Sequence, residues 1–185
     1  MRIKTLITAA LAAALVSGCS NLMVTLGLRE APPPVTDSAY FNAQMDSLLA
    51  RLKGSQSRPF RKAAVLDFVN SDGRISELGR YMTGKFGERA VAKGYFRVAP
   101  PGQIKETLRK LNLVFTGELT RDQAKKIGDA LNVDALVTGV VSDLQKGSDV
   151  DLNVRVINPS SGDLVSAASV AVYRSKQVQT LIQQF

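Results

Sequence analysis

Residues 62–99 read "KAAVLDFVNSDGRISELGRYMTGKFGERAVAKGYFRVA". Residues 62–69 are a short apolar run with β-branched and aromatic members, which predicts a buried strand. "NSDG" at 70–73 is a turn. Over 75–93, Ile75, Leu78, Met82, Phe86 and Ala90 share one face of a helix, and Gly94 stands at its C′ position. "YFRVA", 95–99, predicts a second strand. Strand, helix and strand in this order predict a parallel pair joined by a right-handed crossover.

Downstream of Pro100-Pro101, Ile104, Leu108 and Leu111 mark a short helix. "TRDQ", 120–123, fits a capping box with Thr120 as N-cap and Gln123 at N3, opening a helix that carries Ala124, Ile127 and Leu131. "DALVTGVVSDL", 134–144, is apolar almost throughout, as a central strand should be. "VDLNVRVI", 150–157, alternates, and "LVSAASVAVY", 164–173, completes an antiparallel meander. Val178, Leu181, Ile182 and Phe185 form a last helical stripe. Upstream, Phe41, Met45, Leu48 and Leu52 predict a helix over 37–53, stopped by Gly54 and followed by a flexible link, "GSQSRP". The order α-βαβ-αα-βββ-α predicts an α+β fold. It has one mixed sheet, a parallel βαβ pair plus an antiparallel C-terminal meander, with helices packed on it.

The N-terminus carries a different signal. Arg2 and Lys4 precede an uncharged Ala/Leu-rich run, Thr5 to Val16, and Ser17-Gly18 lead into Cys19, the single cysteine of the 185-residue chain. The run falls short of the ~20 apolar residues a membrane span needs and has the form of a secretory h-region. The box resembles that of bacterial lipoproteins, in which the cysteine is acylated and becomes the first mature residue. Ser20-Asn21 after it favours the outer membrane of a Gram-negative cell. Residues 1–18 are therefore expected to be a lipoprotein signal peptide and 19–36 the lipidated cysteine with a Pro-rich tether. Residues 37–185 are expected to form a single domain facing the periplasm. The 17 residues after Cys19 reach at most roughly 55–60 Å.

Loss of Arg2 and Lys4 with the signal lowers the formal charge from +8 to +6. Export argues against a nucleic-acid partner. A solvated basic surface, anionic lipid or an acidic protein partner remains. The chain has no histidine and no tryptophan, which removes the commonest general base, the Ser-His-Asp triad and the usual zinc ligands. Asp67 and Asp72 are the best candidates for a metal or acid/base site. The simpler reading has Asp67 capping a backbone turn and Asp72 in a surface turn. "NSDGRISELGR" has the strand–turn–helix shape of a phosphate loop but neither glycine-rich fingerprint. Arg74, Arg80, Lys85, Arg89 and Lys93 fall on the wet face of their helix. No catalytic, metal-binding or cofactor-binding residue and no cofactor is assigned, and Cys19 is the one assigned site.

The lipobox, residues 62–108 and the stretch from Ala124 and Gly128 through Asp134-Ala135 to Gly139 together resemble FlgO-type outer-membrane lipoproteins. They more distantly resemble the CsgG curli-secretion lipoprotein. The FlgO resemblance implies a non-enzymatic structural component of a cell-envelope assembly, associated with the flagellum and motility. Its implied partners are outer-membrane lipid through acylated Cys19, envelope or flagellar proteins, and, as an alternative, further copies of itself. A CsgG-like pore would need membrane hairpins for which this sequence leaves no segments. The alternatives are a lipoprotein activator of peptidoglycan synthesis, a curli-type secretion accessory, and a minor periplasmic hydrolase using carboxylates.

Overall fold

The computed structural model describes residues 37–143 and 149–183. The expected signal peptide, Cys19, the expected tether and Phe185 lie outside them. The elements are α1 (Asp37–Gly54), β1 (Lys62–Val65), β2 (Val69–Asn70), α2 (Glu77–Ala92), β3 (Arg97–Val98), α3 (Pro101–Lys110), α4 (Arg121–Leu131), β4 (Ala135–Ser142), β5 (Asp149–Ile157), β6 (Leu164–Tyr173) and α5 (Lys176–Gln183). The sheet runs β3-β1-β4-β5-β6, with β2 also on β4. β3, β1, β2 and β4 are parallel, and β4-β5-β6 is antiparallel. This is the mixed sheet that the sequence predicts.

The expected single strand over 62–69 is broken, and register shows why. Val65 lies opposite Val137 and Val69 opposite Val140. Four steps along the first chain therefore match three along β4, so the first chain carries one extra residue. Such a bulge reverses the alternation of side chains beyond it. Ala63 and Val65 point into one core and Ala64 and Leu66 into the other. Phe68 then returns to the first core and Val69 to the second. Asp67 is the residue left out of both.

Two cores result. On one face α1, α2 and α5 cover the sheet through residues such as Met45, Leu48, Met82, Phe86 and Val178. On the other, α3 and α4 contribute Ile104, Ala124, Ile127 and Leu131. Each fully buried large side chain contributes about 1.5–3 kcal/mol of transfer free energy. α2 begins two residues later than its apolar stripe suggests. Ser76 is its N-cap, with Oγ accepting from the Gly79 N–H, so Ile75 precedes the helix and packs in the second core. The helix ends as expected: Gly94, at φ 66°, donates to Val91 O, and Tyr95 donates to Ala90 O. The capping box of α4 is complete, Thr120 with Gln123 in both directions. Asp134 Oδ2 accepts from the backbone N–H groups of Arg61 and Lys62, fixing the start of β1 beside β4.

The link after α1 is not the flexible connector expected from "GSQSRP". Ser57 donates to Val165 O through both N and Oγ, Ser55 Oγ to Ala167 O, and Arg51 Nη1 to Ser169 O. Tyr40 OH accepts from Tyr173 N. These groups cover the outer edge of β6, which an unpaired strand would otherwise offer to another chain.

Arg89 departs from the wet-face reading, whereas Lys93 remains exposed. Arg89 donates twice to Asp46 of α1, at 2.8 and 2.7 Å, and Lys93 lies 3.5 Å from the same carboxylate. The Arg89 hydrogen bonds, then the charges of Arg89 and Lys93, hold the Asp46 carboxyl below its ordinary value of 3.8 against the opposing effect of burial. A lowered folded-state value means that the stabilisation is present above the ordinary carboxylate value and is lost as pH falls through the folded value. Asp46→Asn should therefore lower the urea midpoint at pH 7. The gap from wild type should close as pH falls below about 4, as equilibrium unfolding by circular dichroism would show.

Candidate functional site

α2 leaves β1 over one face of the sheet, and α3 leaves β3 over the other. Adjacent parallel strands whose connections depart to opposite faces open a crevice at their carboxyl ends, where ligands of open α/β sheets commonly bind. β3 is only two residues long, so no further strand fills the space. The result is a groove of about 750 Å³ lined by Val65, Val98 and Ala99 from the sheet side, by α2, and by Ile104 and Leu108 of α3. That volume lies within the range of natural ligand sites. Val91 and Val114 line it while standing 59% and 83% exposed.

The glycines of α2 show what holds the groove open. At Gly79 an added Cβ would lie 2.2 Å from Phe68 O, so close packing of helix on strand requires glycine there. At Gly84 an added Cβ would meet nothing within 4 Å, and at Gly87 only Val98 Cγ1 at 3.8 Å. Packing within the chain requires neither, yet a mid-helix glycine costs about 0.5–1 kcal/mol relative to alanine. Both line the groove, and what their missing side chains provide is room in it.

Asp67, set aside by the bulge, lines this groove half-buried. The expectation that it caps a backbone turn fails. The Phe68 N–H beside it is taken by Thr83 Oγ1, which donates in turn to Gly79 O. Among the described residues the Asp67 carboxylate has no hydrogen-bond or ion-pair partner. The other charged groups differ. Arg80 pairs with Glu77 and Glu88 with Lys85, both within α2, and Lys105 is exposed. Asp72 is not part of the groove. It accepts from Arg74 Nε at 2.7 Å and Arg74 N at 3.1 Å in an exposed turn, and the Arg74 side chain lowers its carboxyl from the ordinary value. The surface-turn reading of Asp72 holds, and the groove does not bring the two carboxylates together. Among the described residues no group of three or more His, Cys, Asp or Glu is placed to hold a metal ion. No described helix is long and apolar enough to cross a membrane.

Sequence reasoning named Asp67 but missed the groove. Its two signals were an aspartate inside an apolar strand and the pair Gly84 and Gly87 inside an amphipathic helix.

A family model described as FlgO protein matches residues 42–177. The search of curated proteins gave no match. Among solved structures, the fold is similar to the LpoB C-terminal domain from Escherichia coli, with a TM-score of 0.59 at 16% identity over 72% of this chain and 98% of that one. The NMR structure of E. coli LpoB gives 0.60 at 16% over 80% and 75%. Lipoprotein GNA1162 from Neisseria meningitidis gives 0.51 at 14% over 63% and 82%. At these identities the likeness is one of fold.

Gly84→Ala and Gly87→Ala should each raise stability by about 0.5–1 kcal/mol. Gly79→Ala should lower it by about 1–3 kcal/mol through overpacking against Phe68. Chemical denaturation of the three variants reads both signs.

Proposed function

The chain belongs to the FlgO family, and on that premise we propose that it is a non-enzymatic, outer-membrane lipoprotein serving as a structural component of a flagellum-associated envelope assembly. Residues 1–18 are its signal peptide, Cys19 its lipid attachment, 19–36 its tether, and 37–185 one domain facing the periplasm. With a single acyl chain, membrane binding is reversible, and two or more hold firmly. The triacylated cysteine usual in bacterial lipoproteins would therefore keep the domain within reach of its tether, at most roughly 55–60 Å.

The character of the groove carries the non-catalytic part of this reading. It is largely apolar and large enough to bind, and its Asp67 carboxylate has no partner among the described residues. The second candidate, Asp72, is held by Arg74 in a separate exposed turn. Carboxylate-based glycoside hydrolysis commonly uses two such groups flanking one reacting bond. The fold likeness to LpoB keeps a second reading in view, a binding module that activates peptidoglycan synthesis. The short tether weighs against it, because such a module works across the cell wall.

Deleting the gene should impair swimming, and Cys19→Ser should move a folded protein from the membrane to the soluble periplasmic fraction. Normal swimming with intact flagella would remove the flagellar role. A Cys19→Ser protein still firmly bound to membranes would show a second attachment.

A further inference from the structure

We infer that the groove between α2 and α3 is a docking site for an extended segment of a partner protein. That segment carries one lysine or arginine between apolar side chains, and Asp67 receives the cation. The inference deepens the non-catalytic reading and rests on it in one respect, that the groove binds a partner rather than turning over a substrate.

Three observations converge. First, the lining is apolar apart from Thr83, whose hydroxyl is engaged by Phe68 N and Gly79 O, and four charged groups, of which Arg80 and Glu88 are already paired along α2 and Lys105 is exposed to water. Asp67 is the half-buried one, without a partner among the described residues. A carboxylate only accepts hydrogen bonds, and in apolar surroundings it favours a cationic donor. Second, the helix start that faces the groove is a poor anion site. The groove-lining start of α3 is Pro100-Pro101, and neither residue has an N–H to offer, so the usual anion-binding property of a helix N-terminus is weakened there. Third, the apolar surface continues to Val91 and Val114, which remain 59% and 83% exposed. A chain segment with apolar residues on both sides of its basic one would cover them. Gly84 and Gly87 supply the room for its backbone, at a local cost to helix stability. The bulge is the device that turns Asp67 toward this segment, a use to which bulges beside functional sites are often put.

The test uses the purified full-length chain in detergent micelles and a phage-displayed library of random peptides, with empty micelles as the control. Enriched peptides should share a Lys or Arg flanked by apolar residues. Replacing that residue by norleucine in the synthetic peptide should weaken binding at least about tenfold. Asp67→Asn should abolish the difference between the two peptides. Gly84→Leu, which fills the groove without any clash from its Cβ, should weaken every enriched peptide while the thermal midpoint is kept or raised. The inference is overturned by no enrichment over empty micelles, by enrichment of acidic or purely apolar peptides, by a norleucine peptide that binds as well, or by an Asp67→Asn protein that discriminates as before. The norleucine comparison does not depend on any variant folding. Swimming does not enter the readout. Selective peptides together with normal swimming would leave the docking site and remove the flagellar role, and the opposite pair of results would do the reverse.

Discussion

The ring of Phe68 occupies space that only glycine at 139 leaves open, and its carbonyl lies where a side chain at 79 would have to be. A Cβ at Gly139 would stand 2.4 Å from the ring, and one at Gly79 would stand 2.2 Å from the oxygen. Phe68 is wholly buried. Its N–H is satisfied by Thr83 rather than by a strand, and Thr83 is tied to Gly79. Strand, helix and central strand therefore meet at one residue. Interiors are packed densely enough that such a contact cannot be loosened locally. With Phe68 fixed there, β1 and β2 can both pair with β4 only if one residue between them is put out of the ladder.

That residue is Asp67, and the consequence reaches the surface. A strict alternation from Ala63 onward would send position 67 into the core shared with α1 and α2, where an unpaired carboxylate is costly. The bulge resolves the conflict by giving Phe68 that place and leaving Asp67 in the crevice. The crevice itself comes from topology, since α2 and α3 part to opposite faces and β3 is too short to close the gap. The far edge of the sheet, in contrast, is protected. The outer edge of β6 is covered by α1 and the serines that follow it. Pairing a second copy along that edge would first require displacing them.

Much of this was legible in the sequence because local chemistry decided it. Thr120 and Gln123 announce the start of α4, and Gly94 announces the end of α2. The alternation of Val150, Leu152, Val154 and Val156 gives β5 one buried face. What was not legible depends on partners distant in sequence. "AVLDFV" looks like one strand until Gly139 is known to face Phe68. Ser55 and Ser57 look like linker residues until β6 lies beside them. Gly84 and Gly87 resemble Gly79 in sequence, and only the space around each shows that one is required for packing and the other two are not. Arg89 sits among basic residues that read as a solvated face, and Asp46, 43 positions away, is what holds it.

The most direct test is the chemical shift and contact pattern of Gly139 in the NMR spectrum of the folded protein. A phenylalanine ring packed against it should move a Gly139 α-proton strongly upfield and give through-space contacts between that proton and the Phe68 ring. In the same data set the contacts Val65 with Val137 and Val69 with Val140 should occur together. An unshifted Gly139, with Asp67 opposite it in an unbroken ladder, would contradict the bulge and with it the origin of the groove.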